Sequence, residues 1–161
     1  MFDDDARIER TREGDFRLRL PPAERELLRR LPAELRELLA TNPADPDLRR
    51  LFPPAYEDDA DEAEYHRLMR ADLVEGRLQA LRVLQETMDN DRLSLEEAEA
   101  WLTALNDLRL VLGTRLNVSE DTLLHGLDPR EPRAPELALY AYLSGLQEEL
   151  VAALGGARAE K

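Results

Sequence analysis

The sequence predicts a mainly α, single-domain helical bundle with a short N-terminal β-hairpin. Apolar residues recur at three- and four-residue intervals through most of its 161 residues, which is the periodicity of amphipathic helices. Near the N-terminus the pattern changes to strict alternation, which is typical of a strand. Hydrophobic residues make up 43% of the chain and charged residues 35%, a balance typical of folded proteins, and this length suffices to bury a core.

Residues 8–20 are the predicted hairpin, because Phe16, Leu18 and Leu20 alternate with two arginines and follow a turn-forming segment. A two-stranded hairpin is marginally stable by itself, so its apolar face should pack on the helices. The alternative is an ordered arm whose residues do not pair as strands. The preceding residues 1–5 are acidic and are expected to be loose.

A leucine-rich helix is predicted over residues 22–40, after the prolines that end the strand. Pro32 lies inside it, so we expect either a kink or two short helices with Pro32 in the first turn of the second. Residues 47–52 are expected to form one helical turn, which Pro53 stops.

A second long helix is predicted over residues 60–88. Its apolar side also carries His66, Arg70 and Arg77, close to one line on the helical wheel. The more common arrangement is that such cations extend from the edge of the apolar stripe and pair with acids of neighbouring helices. The alternative is a ligand site.

The helix predicted over residues 95–116 is the one around which the rest of the chain should fold. Ser94 is a favourable N-cap, and acidic residues occupy the first turn. Large apolar residues form one stripe and others lie outside it, so the helix should be buried on more than one side. Arg109 lies on the wheel between two leucines and therefore needs a carboxylate or an anion as its partner. The stripe consists of Trp101, Leu105, Leu108, Leu112 and Leu116.

Two further helices are predicted, over residues 119–125 and 136–154. A pair of glycines should end the last helix and leave residues 155–161 as a disordered tail. Tyr140 and Tyr142 lie beside the leucine stripe of this helix. They are expected to cap the core of the domain, with a homodimer through this helix as the second interpretation.

The composition disfavours several classes of function. The chain has no cysteine, which removes disulfides, thiolate nucleophiles and Cys-ligated metals. The two histidines, His66 and His125, lie on different elements, and the sequence has no Gly-rich phosphate loop and no nucleophile elbow. We therefore expect a non-enzymatic protein with no catalytic residue, metal or cofactor.

The formal net charge of −13 disfavours direct DNA binding by the isolated domain. The helix after Ser119, which could enter a major groove, has two acids and no arginine. A basic surface on a protein partner is the more natural counterpart. Because no run approaches the length of a membrane span and no leader opens the chain, we expect a cytoplasmic protein without membrane contact.

The loop at residues 51–59, LFPPAYEDD, is the most distinctive one in the chain. Two prolines fix its backbone, while Phe52 and Tyr56 offer apolar surface. Buried aromatic rings usually serve packing, so a docked corner is the simpler interpretation and a binding loop is the alternative.

This loop, the segment AEYHRLM and the segment WLTALNDLRLVLGTRLNV together resemble a family of small acidic helical proteins from actinobacteria. The function of the family is unknown, and some members, the AosR-like group, are described as oxidative-stress transcription regulators. The resemblance covers residues 6–152 and implies a regulator that works with the transcription machinery, through a sigma factor or RNA polymerase. The matching positions are Phe52, Pro53, Pro54, Tyr56, Trp101, Asn106, Asp107, Arg109 and Arg115. Regulators of oxidative stress often sense through thiols, and because this sequence has no cysteine a disulfide switch cannot operate within it.

Two hypotheses for the function remain. The first is a non-enzymatic regulatory protein that acts by protein–protein contact with the transcription machinery. The alternative is a small-anion or metabolite-binding domain in which Arg70, Arg77 and Arg109 form the clamp. The candidate residues for partner or anion binding are His66, Arg70, Arg77, Asn106, Arg109, Arg115, Phe52 and Tyr56.

Overall fold

A computed structural model describes residues 6–42, 45–51, 60–116 and 132–159, except for the side chains of residues 49, 50, 60–70 and 156–159. Most of these residues are helical, and a small antiparallel sheet lies near the N-terminus, so the predicted mainly α fold is confirmed. The elements are β1 (Ile8–Arg10), β2 (Phe16–Leu18), α1 (Pro22–Thr41), a 3-10 helix (Pro46–Leu51), α2 (Ala60–Glu86), β3 (Arg92–Leu93), α3 (Leu95–Leu116) and α4 (Ala134–Ala159).

The sheet contains one strand more than the predicted hairpin. β1 pairs with β2, with Ile8 opposite Leu18, and β2 pairs with β3, with Phe16 opposite Leu93. The interpretation of this region as an unpaired arm is therefore wrong. β3 has two residues, too few for a strand periodicity to be visible in the sequence, and it forms only because the turn after α2 returns the chain to β2.

α1 continues through Pro32 without interruption, so the prediction of two short helices is wrong. An interior proline removes one backbone hydrogen bond and costs about 3 kcal/mol. The apolar face nevertheless continues on both sides of it, because Leu28, Leu35 and Leu39 are all buried along with the proline ring. Burying each leucine contributes about 1.5–3 kcal/mol, which together exceeds the cost of the proline.

α2 ends at Glu86, two residues before the predicted end. The next residues form a turn in which Thr87 and Met88 are buried. Arg25 of α1 holds this turn: its Nη1 donates to the carbonyl oxygens of Met88 at 2.6 Å and Asn90 at 3.0 Å. The positive guanidinium thus satisfies two carbonyls of this turn and fastens the turn to α1.

α3 is the central helix, and its packing confirms the prediction that it is buried on more than one side. It packs against α2, against the 3-10 helix and against α4. The capping prediction is also confirmed: the amide of Glu97 donates to Ser94 Oγ at 3.1 Å, and its carboxylate accepts from the amide of Ser94 at 2.8 Å. Trp101 is fully buried, and its Nε1 donates to Thr87 Oγ1 at 2.7 Å.

α4 extends to Ala159, so the predicted helix end at 154 and the prediction of disorder from residue 155 are wrong for residues 155–159. A glycine costs a helix only about 1 kcal/mol. The leucines that precede the glycine pair are buried against the core and anchor the final turns, so this cost does not end the helix. The predicted loose segment 1–5, the predicted helix 119–125 and residues 160–161 lie outside the described residues.

Within the described part of the chain, no helix combines the length and the apolar character needed to cross a membrane.

Candidate functional site

Arg109 lies half-buried on the side of α3 that faces α4, and its guanidinium bonds to the side-chain amide of Asn106. Its Nη2 donates to Asn106 Oδ1 at 3.0 Å, and Gln147 Nε2 of α4 donates to the same oxygen at 3.2 Å. A guanidinium can only donate, so the Asn106 atom that faces it must be oxygen, and the Gln147 atom on that oxygen must be nitrogen. Arg109 therefore fixes the orientation of both amides.

Several polar atoms around this network have no hydrogen-bond partner among the described residues. They are Arg109 Nε, Ser144 Oγ and Gln147 Oε1, and all three are buried. Their side chains line an open cavity of about 330 Å³, together with Glu148, Val151 and Ala152. Buried polar groups are usually satisfied, so a set of three beside one cavity marks this place as a candidate binding site.

The charge of Arg109 is not neutralised within the described part of the chain. The predicted carboxylate partner is not found there, and Asn106, a neutral amide, takes its place. A half-buried cation without a carboxylate retains its capacity to bind an anionic group. The region around Arg109, Asn106, Ser144 and Gln147 is called the Arg109 site below.

Arg77 has a different environment, on the other side of α3. Its Nη1 bonds to Asp107 Oδ1, and its Nη2 donates to the carbonyl oxygen of Leu51 at 2.7 Å. Asp107 is fully buried, and that burial raises the pKa of its carboxyl group more than the bond to Arg77 lowers it. This ion pair joins α2, α3 and the 3-10 helix.

The structure does not bring Arg77 and Arg109 together. Asp107 and Arg109 are two residues apart on one helix, which places them about 200° apart around its axis. Because Arg77 of α2 bonds to Asp107, its guanidinium lies on the side of α3 opposite to the one from which Arg109 projects. An anion clamp that uses both arginines is not formed in this arrangement.

The other predicted residues are separated from the Arg109 site or lie outside the described part. Arg115 is exposed, and its Nε bonds to Asp47 Oδ2 at 3.1 Å, which fastens the 3-10 helix to the end of α3. His66 and Arg70 belong to α2, but their side chains are outside the described residues, as are Phe52 and Tyr56 entirely. Of the four candidates whose side chains the structure describes, Arg77, Asn106, Arg109 and Arg115, only Asn106 and Arg109 share one hydrogen-bond network.

Sequence reasoning missed the contribution of α4 to this site. Ser144, Gln147 and Val151 lie at positions i, i+3 and i+7, which is one face of the helix. This face lies beside the leucine stripe, and Val151 is 50% exposed there, which is unusual for a large aliphatic side chain. The signal was thus present in the sequence, but only the packing of α4 on α3 shows that this face meets Arg109.

A second charged cluster joins β1, α1 and α4. Arg7 Nε bonds to Glu24 Oε1 at 2.6 Å, and its guanidinium lies 5.7 Å from the centroid of the Tyr142 ring. Burial acts to raise the pKa of Glu24, but the bond from Arg7, together with the nearby Tyr142, outweighs it and leaves that pKa below its ordinary value. Burial, reinforced by Glu24, raises the pKa of Tyr142 well above its ordinary value. Tyr142 thus packs inside the domain.

Metal binding has no visible basis in the described residues, since no group of three or more His, Cys, Asp or Glu side chains converges there.

The fold and the Arg109 site define an acidic, mainly helical protein with an arginine that, among the described residues, bonds to an amide instead of to a carboxylate. Residues 5–154 match the family described as "Domain of unknown function (DUF2017)", and the chain belongs to this family. No solved structure matches the chain.

Similar mycobacterial proteins are described as oxidative stress regulators. The chain is 34% identical over 137 residues to "Oxidative stress regulator AosR" of Mycobacterium bovis and of Mycobacterium tuberculosis. The match covers 74% of this chain and 62% of each relative. A Mycobacterium leprae relative is 34% identical over 133 residues, with 71% of this chain and 61% of the relative covered. The chain thus spans about three fifths of the length of these relatives.

Proposed function

We propose that this protein is a non-enzymatic regulator that acts by contact with the transcription machinery. The name of the mycobacterial relatives supports a regulatory role in oxidative stress. A net charge of −13 favours a protein partner over direct contact with the phosphate backbone of DNA. A sigma factor or RNA polymerase in the cytoplasm is the proposed partner.

The proposed contact surface rests on the charge of Arg109, which no carboxylate of the described residues compensates. Arginine is enriched in interface hot spots, where it forms bidentate bonds with carboxylates. Here the guanidinium is already oriented by Asn106, so little side-chain entropy is lost on binding. Val151 provides exposed apolar surface beside it. We propose that an acidic side chain of the partner bonds to Arg109 while an apolar one packs on Val151.

These 161 residues contain no cysteine, so an oxidative signal cannot act through a thiol within them. A thiol switch would have to lie outside these 161 residues. A homodimer through α4 is the second arrangement in which the Arg109 site could be used.

The experiment is a pull-down from a lysate of the source cells with the wild type, Arg109→Ala and Arg30→Ala. Arg30 is an exposed arginine of α1 and serves as the matched control. Circular dichroism first establishes that all three proteins fold. We expect wild type and Arg30→Ala to enrich a sigma factor or RNA polymerase and Arg109→Ala to lose it. Enrichment of neither by the wild type would contradict the proposal.

A second function is supported by the unpartnered polar atoms of the same site, namely binding of a small anion. Arg109 and the hydroxyl of Ser144 would donate to it, within a cavity large enough for a small metabolite. Thermal unfolding with phosphates, nucleotides and carboxylates at millimolar concentration tests this function. Stabilisation that Arg109→Ala abolishes is the expected result, and an unchanged melting temperature across the panel would exclude it.

A further inference from the structure

A second surface, separate from the Arg109 site, is a groove of about 360 Å³ between α1 and α3, called the α1–α3 groove. Three leucines of α1 form one wall, at positions i, i+4 and i+7. Three apolar residues of α3 form the other, and Leu143 of α4 lies between them. The two walls consist of Leu31, Leu35, Leu38, Leu108, Val111 and Leu112.

The upper parts of these walls remain accessible, although the floor is closed. Leu35 and Leu143 are almost fully buried, whereas Leu31, Leu38 and Leu112 are only partly buried. An elongated apolar depression between two helices is the shape that accepts a third helix, whose own i, i+3/i+4, i+7 stripe packs between the walls. Leu31 to Thr41 spans about 15 Å along α1, which matches about three turns of helix.

The two edges of the groove carry different charges. On the α1 side the rim carries Glu34 and Glu37, both exposed, and neither carboxylate bonds to a cation among the described residues. On the α3 side the rim carries Arg115, whose charge is already compensated by Asp47. The rim therefore presents net negative charge to whatever lies over the leucines.

We infer that the α1–α3 groove is a docking site for an amphipathic helix of a partner protein, with lysine or arginine along the edge of its apolar stripe. Leucine-type side chains of that helix pack between Leu38 and Leu112, and its basic residues meet Glu34 and Glu37. This inference goes beyond the proposed role of the Arg109 site, because it assigns a different surface and the opposite charge on the partner. The acidic rim selects basic helices and repels acidic ones.

The probe is a synthetic amphipathic peptide of about 14 residues with leucines at helical spacing and lysines on both edges of the stripe. A twin peptide carries glutamate in place of each lysine. Binding to the full chain is measured by fluorescence anisotropy at two salt concentrations. The protein variants are Glu34→Lys with Glu37→Lys, and, as the matched control, Asp72→Lys with Glu75→Lys, which change the same charge on the exposed side of α2. Arg109→Ala completes the set.

We expect the lysine peptide to bind and its glutamate twin not to bind. Reversal of the rim charges should weaken binding about tenfold, since two rim charge pairs together contribute about 1.4 kcal/mol. The α2 control and Arg109→Ala should bind as the wild type does, so failure here is distinguishable from failure of the Arg109 contact. If the rim variant does not fold, Glu34→Gln with Glu37→Gln gives the same test with a smaller loss.

Three results would overturn the inference. Equal binding of both peptides would show that the rim charges select nothing. Equal losses in the rim variant and the α2 control would show a non-specific attraction to an acidic protein. The third result comes from sedimentation of the protein alone. If the protein is a dimer and the substitution Leu112→Arg dissociates it, a second copy of this chain occupies the groove.

Discussion

The carboxylate of Asp107 has no exposed surface, and one of its oxygens bonds to the guanidinium of Arg77 across the α2–α3 interface. The other oxygen, Oδ2, is buried and has no hydrogen-bond partner among the described residues. The pKa of Asp107 is raised, because burial penalises its charged form more than the single ion pair with Arg77 stabilises it. The pair holds the central helix to the rest of the bundle.

Removal of Arg77 should therefore destabilise the protein strongly. Arg77→Ala leaves a buried carboxylate without its cation, and we expect the free energy of unfolding to fall by about 3–5 kcal/mol in urea titrations at pH 7. Arg115→Ala is the matched control, since its bond to Asp47 is exposed, and should cost less than about 1 kcal/mol. Equal effects of the two substitutions would contradict the distinction between a buried and an exposed pair.

The cost of Arg77→Ala should also depend on pH in a defined direction. The folded state binds the proton of Asp107 more tightly than the unfolded state does, because its pKa is raised. Protonation removes the unpaired charge, so the difference in stability between wild type and Arg77→Ala should shrink as the pH falls from 7 to 5. Urea titrations at both values measure it, and a difference that grows on acidification would be inconsistent with a buried carboxylate.

Glu24 should have the opposite pH dependence. Its pKa lies below the ordinary value of 4.5, since the bond from Arg7, together with the nearby Tyr142, outweighs burial. The resulting stability is present above the unfolded pKa and is lost as the pH falls through the folded pKa. We expect Glu24→Gln to be less stable than wild type by about 0.5–1 kcal/mol at pH 7, and this difference to shrink in thermal unfolding as the pH is lowered below 4.5. A constant difference across this range would show that the charge of Glu24 is not involved.

The bond between Trp101 and Thr87 should contribute measurably to stability. Thr87→Val keeps the shape of the side chain but leaves the buried indole N–H without its acceptor, which costs about 1–3 kcal/mol. Thr103→Val, at an exposed position of α3, is the control and should change stability by less than about 0.5 kcal/mol. Fluorescence of the single tryptophan follows unfolding directly, and equal midpoints for both variants would rule out this role of Thr87.

Two helical glycines offer a test in the stabilising direction. A Cβ atom added at Gly76 in α2 or at Gly155 in α4 meets no heavy atom within 4 Å. Alanine there should raise the free energy of unfolding by about 0.5–1 kcal/mol, because the unfolded chain loses conformational freedom while the helix loses nothing. Gly14→Ala should destabilise instead, since Gly14 has φ of +94° in the turn between β1 and β2. Thermal unfolding distinguishes the two outcomes, and a loss of stability at Gly155 would mean that α4 does not continue through this position in solution.

The Arg109 site could be predicted in part. The position of Arg109 among leucines indicated that its guanidinium needs a polar partner, and the structure places Asn106 Oδ1 at hydrogen-bond distance from it. Among the described residues no carboxylate bonds to it; Asn106 accepts its bond, and Gln147 donates to the same oxygen of Asn106. An anion as the partner stays a prediction. Gln147 is 38 residues away in sequence, and no local pattern connects the two residues.

By itself, the sequence determined the periodic elements: the three long helices with strong leucine stripes, the N-cap of α3 and the alternating strand at Phe16. These depend on interactions within a few residues, and the side-chain pattern records them directly. Only the tertiary structure decided where packing outweighs local preference. In the folded chain α1 continues through Pro32, and α4 continues past its glycines. β3 joins the sheet, and Arg77 and Arg109 lie on opposite sides of α3. The physical reason is that burial against distant residues contributes more free energy than the cost of a proline or a glycine in a helix.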